Sequence, residues 1–410
     1  MASQHILIIG GGIGGLALAQ GLRKFKIPFT IFERDPSPIS RSQGYRLRLA
    51  GGGADGLRSC LDVPQWDLFE KTSAEIGPGT SRLNAIDGSD MAHFGLGPGR
   101  GPFGGIKPSL RGPDVAYGVD RTMLRALLLL GQDENIKFRK SFAKYEITES
   151  GVKAFFNDGT TAEGTLLVGA DGVASPVRKQ LLPNQRCIDT ETRVIYGKTP
   201  ITPKLTERSA PAVLKHMTFV ENPNKAGLFL EPIRFPQDTS VVSNEQLPKV
   251  SDYIYWVLAL RNAETNKLSD EQFVSLDGEG AKDLALKMTE DWDPSLRVIL
   301  ELQTASESSP LRIFSAKPVR PEWKPSARVT LLGDAVHAML PAGGSGANCA
   351  LSDAALLLRL IVEEGISENT MGKYIDGMWE YVLPAIIGSE AGGQKLLGFK
   401  GFEGREEVDF

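Results

Sequence analysis

The sequence predicts an α/β chain: a discontinuous Rossmann-like nucleotide domain, an inserted and largely antiparallel β-sheet domain, and a C-terminal helical segment. Three observations predict it. An apolar run, Ile6 to Ile9, enters glycines at 10, 12 and 15 and is followed by a second strand ending in Glu33. Two later segments, Thr165 to Gly172 and Arg328 to Asp334, repeat the pattern of a buried strand that ends in glycine and an acid. Between them, residues 184–315 change to strand-like runs broken by prolines.

The first segment is a short apolar run of the kind buried in a parallel sheet, and its glycines fit the G-x-G-x-x-G turn that opens a helix. Gly10 permits a tight turn, Gly12 admits a pyrophosphate to the backbone, and Gly15 lets helix and strand pack closely. Ile13 and Gly14 supply amides of the first helical turn. Phe29 to Phe32 forms the second strand, and Glu33, with Arg34 beside it, stands where a carboxylate accepts hydrogen bonds from a ribose diol. This is an ADP-binding βαβ unit. NAD, NADP and FAD all contain ADP, and the motif does not separate them.

Arg41 to Leu49 alternates as a short strand with one wet face, and residues 51–60 form a helix entered through glycines. Residues 71–116 read as irregular, punctuated by Gly77-Pro78-Gly79 and the run from Gly95 to Pro102. Asp120 caps a helix beginning at Arg121, whose apolar residues recur at helical spacing. Ala154 to Thr161 carries an Asp-Gly turn and reads as a hairpin. Ser175-Pro176 opens another helix, serine as cap and proline in the first position.

Arg193 to Tyr196, Leu228 to Leu230 and Tyr253 to Leu260 read as strands of the inserted sheet, with a helix near 280–290. Pro318, Pro321 and Pro325 mark the return to the first domain. After Asp334 come the loop from Pro341 to Ser345 and a helix from about 346 to 363, ended by Gly365. Residues 1–70, 104–183 and 316–410 are thereby assigned to the nucleotide domain, and 71–103 and 184–315 to the substrate domain.

Composition narrows the class. At 410 residues the chain exceeds what one core usually supports, and 41% hydrophobic with 23% charged residues is ordinary for a globular enzyme. A net charge of −4 and the lack of a basic tract give no footing for nucleic acid. Cys60, Cys187 and Cys349 are far apart, and the four histidines have no ligand spacing, so no metal site is expected. The nucleotide strand begins near residue 5 and no apolar run approaches a membrane span, so a cytoplasmic chain without a membrane partner is expected, as monomer or homodimer.

The three motifs in this order resemble the group A, single-component FAD-dependent monooxygenases with the p-hydroxybenzoate hydroxylase fold, close to fungal members of secondary metabolism. The resemblance spans nearly the whole chain, resting on architecture alone in 184–315. It implies FAD as resident cofactor, with NADPH or NADH as a transient reductant that gives hydride and leaves. It implies a C4a-hydroperoxide, formed from reduced flavin and dioxygen, that hydroxylates a small aromatic or polycyclic substrate. Position by position, Asp334 would accept from a ribityl or ribose hydroxyl. Pro341, Gly344, Gly346, Ala347 and Asn348 match a P-x-x-G-x-G-x-N stretch whose amides approach the isoalloxazine, where a helix N-terminus favours negative charge. Arg121, Gly333, Asp171 and Gly172 match further cofactor positions, and Arg178 is either a phosphate ligand or a surface residue.

Gly44 to Arg46 occupies a loop placed against the flavin in the family, although Tyr45-Arg46-Leu47-Arg48 departs from the commoner glycine-rich pattern and Ser345 stands where many relatives have glutamine. Arg193 and Tyr196 are the candidate substrate-side catalytic residues. Three apart on a strand, at most one of them faces the flavin. His216 and His337 receive no acid or base role. Epoxidation, Baeyer-Villiger insertion and a non-oxygenating flavin reductase or redox-sensing module remain open on this scaffold, whereas the W-x-W-x-I-P signature of flavin halogenases is absent.

Overall fold

A computed structural model describes residues 4–38, 45–77, 79–94, 116–215, 217–222, 226–260 and 268–409. Gly44, His216 and the glycine-rich run from 95 to 102 lie outside them.

Five parallel strands form the nucleotide sheet in the order Val329–Leu331, Leu166–Gly169, Ile6–Ile9, Phe29–Phe32, Ile136–Lys137. Ile6 to Ile9 is the central strand, with a neighbour on each edge and helices over its faces, which is why its sequence is apolar without alternation. The helices Ile13–Lys24 and Gly346–Glu364 pack against each other close by, and Gly21 is the contact that permits it: a Cβ there would lie 2.2 Å from Leu358 Cδ2. The caps follow the sequence. Asp120 accepts from Met123 N at 3.0 Å, Ser175 from Arg178 N at 2.9 Å, and Gly365 ends its helix at a φ of +75°.

The second layer is a large mixed sheet in which Cys187–Pro200 lies between Ser309–Ala316 and Tyr253–Leu260, both antiparallel to it. Gly227–Ile233 and Met217–Glu221 continue it, and Thr80–Asn84 joins in parallel with Met217–Glu221, followed by Asp90–Phe94. The reading of 71–116 as irregular is therefore corrected. Its strands are short and flanked by glycine and proline, and Thr80–Asn84 is held in the sheet by a partner more than a hundred residues away, with Asp90–Phe94 added beside it. Tyr253–Leu260 is buried along its whole length because helices cover one face and the nucleotide domain the other.

Arg46–Ala50 pairs with Ala116–Asp120 as a ribbon between the two layers. Val63–Thr72, begun by a capping box at Asp62 and Gln65, is a helix absent from the sequence reading, and the expected C-terminal helical segment is Glu368–Leu397, thirty residues long with Pro384 inside it. Among the described residues no helix is long and apolar enough to cross a membrane.

Candidate active site

The C-terminal ends of the parallel strands and one face of the large sheet enclose a single continuous cavity of about 1160 Å³. That exceeds the roughly 300–1,000 Å³ of pockets that hold one small ligand, so there is room for a dinucleotide and a second molecule.

The nucleotide end is built from backbone. Gly10 turns the chain at a φ of +109°, and a Cβ there would lie 2.3 Å from Ala170 O; one on Gly15 would lie 2.3 Å from Gly10 O. Strand, turn and helix touch without side chains between them. The helix Ile13–Lys24 starts at Gly12 with no side-chain cap, so its first amides face the cavity, which Gly12, Ile13, Gly14 and Gly15 line. Gly12 has an ordinary φ of −77°, and its nearest neighbour to an added Cβ is Ala170 O at 3.9 Å. Its missing side chain leaves room for a ligand and does not relieve strain.

Glu33 is buried beside this turn, accepting from Gly11 N at 2.7 Å and from Asp35 N at 2.9 Å. Arg34 beside it is exposed, and neither residue is in the cavity wall.

Across the sheet, Gly172 (φ +81°) lines the cavity with nothing within 4 Å of an added Cβ. Asp171, behind it, accepts from Val177 N at 3.4 Å, and its Oδ1 is buried with no hydrogen-bond partner among the described residues; burial outweighs the nearby Ser175 hydroxyl and pushes this carboxyl up to about 6. Arg178 is neither a phosphate ligand nor a surface residue. It is buried, and Nη1 donates to Val173 O at 2.7 Å and Ala335 O at 3.1 Å, tying two cavity loops together.

Gly333 turns the chain at φ +62°, and Asp334 opens onto the cavity, its carboxyl raised above the ordinary range by burial. A buried network that the sequence reading missed holds this turn. Asp353, two turns into the Gly346–Glu364 helix, accepts from Gly333 N at 2.8 Å, from Tyr381 OH at 2.7 Å, and meets His337 Nε2 at 2.6 Å. Burial alone would lower the His337 pKa; the facing Asp353 carboxylate overcomes this and raises it. The spacing of Gly346 and Asp353 along one helix face was the available signal, but Tyr381 comes from a helix with no motif.

Pro341, Gly344, Gly346 and Ala347 line the cavity where the helix from Gly346 begins, and Ser345 makes no capping bond to it. Asn348 is corrected. Its Oδ1 accepts from Ala50 N at 3.0 Å and its Nδ2 donates to Arg48 O and Gly344 O, both at 2.9 Å, so the amide is used in clamping the Arg46–Ala50 strand to the helix.

The other end of the cavity is aromatic. Tyr45 packs on Tyr196 at 5.3 Å, Tyr196 on Tyr255 at 6.1 Å, Tyr255 on Phe229 at 6.0 Å and Phe229 on Phe219 at 5.4 Å. Burial raises the Tyr196 phenol, which therefore stays a neutral donor at physiological pH. Arg46 lies over Phe229 and Tyr255 and is ion-paired with Glu231, so it belongs to this wall as well as to the cavity lining; burial pushes it down to about 10. Arg121 sits over the Tyr45 ring at 5.2 Å, at the boundary between the two ends.

Arg193 is corrected too. It points to the opposite face of its strand from Tyr196, outside the cavity, with its guanidinium held by Asp189 at 2.9 Å and Asp270 at 2.7 Å. Its role is structural. The three cysteines are buried and free, and among the described residues no His, Cys, Asp and Glu cluster could hold a metal.

Residues 118–365 match the family described as FAD binding domain, and residues 8–58 that described as NAD(P)-binding Rossmann-like domain. The chain belongs to the FAD-dependent monooxygenases. Within this family it is 40% identical to a dual O-methyltransferase/FAD-dependent monooxygenase of Phaeosphaeria nodorum over 89% of this chain and 41% of that protein. It is 36% identical to a second such dual protein, of Cercospora beticola, over 97% and 47%. The chain spans less than half the length of these relatives. A solved structure described as a FAD containing monooxygenase, from Photorhabdus luminescens, superposes with a TM-score of 0.76 at 31% identity, covering 97% of this chain and 100% of that one. Klebsiella pneumoniae HpxO complexed with FAD and uric acid gives 0.75 over 97% and 90%, and at 19% identity shows the shared fold alone.

Proposed function

We propose that this chain uses FAD, NAD(P)H and dioxygen to hydroxylate a small aromatic or polycyclic phenol. One observation carries the reading: a glycine-lined, amide-rich nucleotide cradle opens without a partition onto an aromatic wall. The cradle fits FAD. Gly12, Gly172 and Gly344 line the cavity and leave space that a Cβ would fill. Bound there, FAD supplies the redox chemistry, taking hydride from the nicotinamide and activating dioxygen.

The protein's own groups do the rest. Amides of Gly12 to Gly15 hold the pyrophosphate, and Glu33 binds the ribose after exchanging its contact with Gly11 N. Asp334 accepts from a ribityl hydroxyl. The uncapped helix from Gly346 favours negative charge on the ring system, by up to about 2 kcal/mol in buried geometry. Tyr196 donates to a substrate oxygen, and the aromatic wall orients a flat ring and excludes water. The relatives' pairing with an O-methyltransferase supports a substrate bearing hydroxyl groups, since methyl transfer to oxygen needs one.

The purified protein should be yellow and release FAD on denaturation. With a phenolic substrate it should consume NADPH and place one atom of ¹⁸O from labelled dioxygen in the product. Colourless protein that takes up no FAD overturns the cofactor assignment. Oxidation of NADPH to hydrogen peroxide alone, with every aromatic offered, overturns the oxygenation.

A further inference from the structure

We infer that Arg48 recognises a carboxylate on the aromatic substrate; this rests on the proposed reading of the cavity as a monooxygenase site. Among the described residues the cavity wall carries six cations: Arg46, Arg48, Arg82, Arg121, Arg312 and Lys395. Most are already engaged. Arg46 pairs with Glu231, Arg82 Nε donates to Glu221 at 2.7 Å, and Arg312 pairs with Asp189 and Asp270. Arg121 lies on the Tyr45 ring, and Lys395 is exposed to water. Arg48 alone is half-buried with neither an ion pair nor a side-chain hydrogen bond among the described residues.

A guanidinium withdrawn from water without a counter-charge is unfavourable, so the empty partnership calls for an anionic ligand. Its placement selects which one. Arg46 and Arg48 are two apart on the Arg46–Ala50 strand and project to the same face. Arg46 sits over Phe229 and Tyr255 at 5.7 and 5.8 Å, so that face is turned to the aromatic wall. Asn348 fixes the backbone of Arg48 at its carbonyl, which limits the side chain's reach. The phosphate end has its own donors in the amides from Gly12 to Gly15. Burial also lowers the Arg48 pKa, in keeping with a cation that lacks a partner until the ligand arrives.

The experiment uses the FAD-loaded protein and the flavin absorbance change on titration with 3-hydroxy-2-naphthoic acid and with its uncharged methyl ester. The wild type should bind the acid at least about tenfold more tightly than the ester. Arg48→Met should raise the Kd of the acid by about tenfold to a hundredfold, the worth of a charge-assisted hydrogen bond, and leave the ester within about twofold. Arg48→Lys should retain part of the preference. An undiminished preference for the acid in Arg48→Met overturns the inference, as does equal loss of acid and ester together with loss of FAD, which would assign the cation to the cofactor. The wild-type ratio needs no variant: equal binding of acid and ester overturns the role of Arg48 alone. Binding of neither overturns the aromatic-substrate reading itself.

Discussion

Replacing Asp353 by Asn tests whether the turn at Gly333 depends on the buried network behind it. The carboxylate is fully buried and accepts from Gly333 N, His337 Nε2 and Tyr381 OH, the first two on the same oxygen. An amide of the same shape must place its oxygen there to avoid opposing two N–H groups. Its NH₂ then faces Tyr381, whose own proton loses its acceptor. Three charge-assisted bonds become at most two neutral ones, a loss of about 1 kcal/mol each, and one buried donor is stranded at a further 1–3 kcal/mol. The expected destabilisation is about 4 kcal/mol.

Urea unfolding followed by intrinsic fluorescence measures it. With a slope near 2 kcal/mol/M, the midpoint of the transition that includes the nucleotide domain should fall by about 2 M. Tyr381→Phe, which removes one bond, should cost about a third as much. The pH dependence has a definite sign. The folded His337 pKa is raised, so the imidazolium–Asp353 attraction is fully present below the unfolded value of 6.5 and is lost as pH rises through the folded value. The gap between wild type and Asp353→Asn should therefore be larger below pH 6.5 and narrow above. A midpoint within about 0.3 M of wild type below pH 6.5 would refute the reasoning.

Gly15→Ala should not yield a stable nucleotide domain, because its Cβ meets the Gly10 carbonyl at 2.3 Å, whereas Gly12→Ala fits the fold and should melt like wild type while weakening FAD binding more than about tenfold by equilibrium dialysis. Lys198 pairs with the buried Asp120 at 2.7 Å, and Tyr253 donates to the same carboxylate at 2.8 Å. Lys198→Met leaves that carboxylate without its counter-ion and should cost about 3–5 kcal/mol in urea unfolding. Combining it with Asp120→Asn should restore part of the loss, and strictly additive costs would show that the pair is not coupled. For the FAD-free protein, Asp171→Asn should stabilise at neutral pH by about 1–3 kcal/mol. The folded Asp171 pKa is raised from 3.8 to about 6, so the wild type's deficit grows as pH rises through that window and should vanish below about 4. Thermal melts that show no difference at pH 7.5 would count against a strained carboxylate.

The sequence was most informative where chemistry requires a backbone shape. Gly10 and Gly15 could be read directly, because close approach of strand and helix excludes every side chain. Asp120, Ser175 and Gly365 could be read because caps act within one turn of chain. It was least informative where a residue's role depends on its neighbour in space. Spacing allowed only one of Arg193 and Tyr196 to face the cavity without saying which; the fold placed Tyr196 there and Arg193 against Asp189 and Asp270. Asn348 matched a cofactor motif, yet its amide is consumed by backbone atoms of a strand three hundred residues away. Glu231, the partner of Arg46, carries no motif.

The sequence by itself determined the glycine turn after the first strand, the discontinuous nucleotide domain and the family, since each is written in local spacing or short-range backbone constraint. Only the tertiary structure decided which charges cancel. Arg46, Arg82 and Arg312 meet carboxylates from distant elements while Arg48 meets none among the described residues, because ion pairing falls off within a few ångströms and depends on which elements the fold brings side by side.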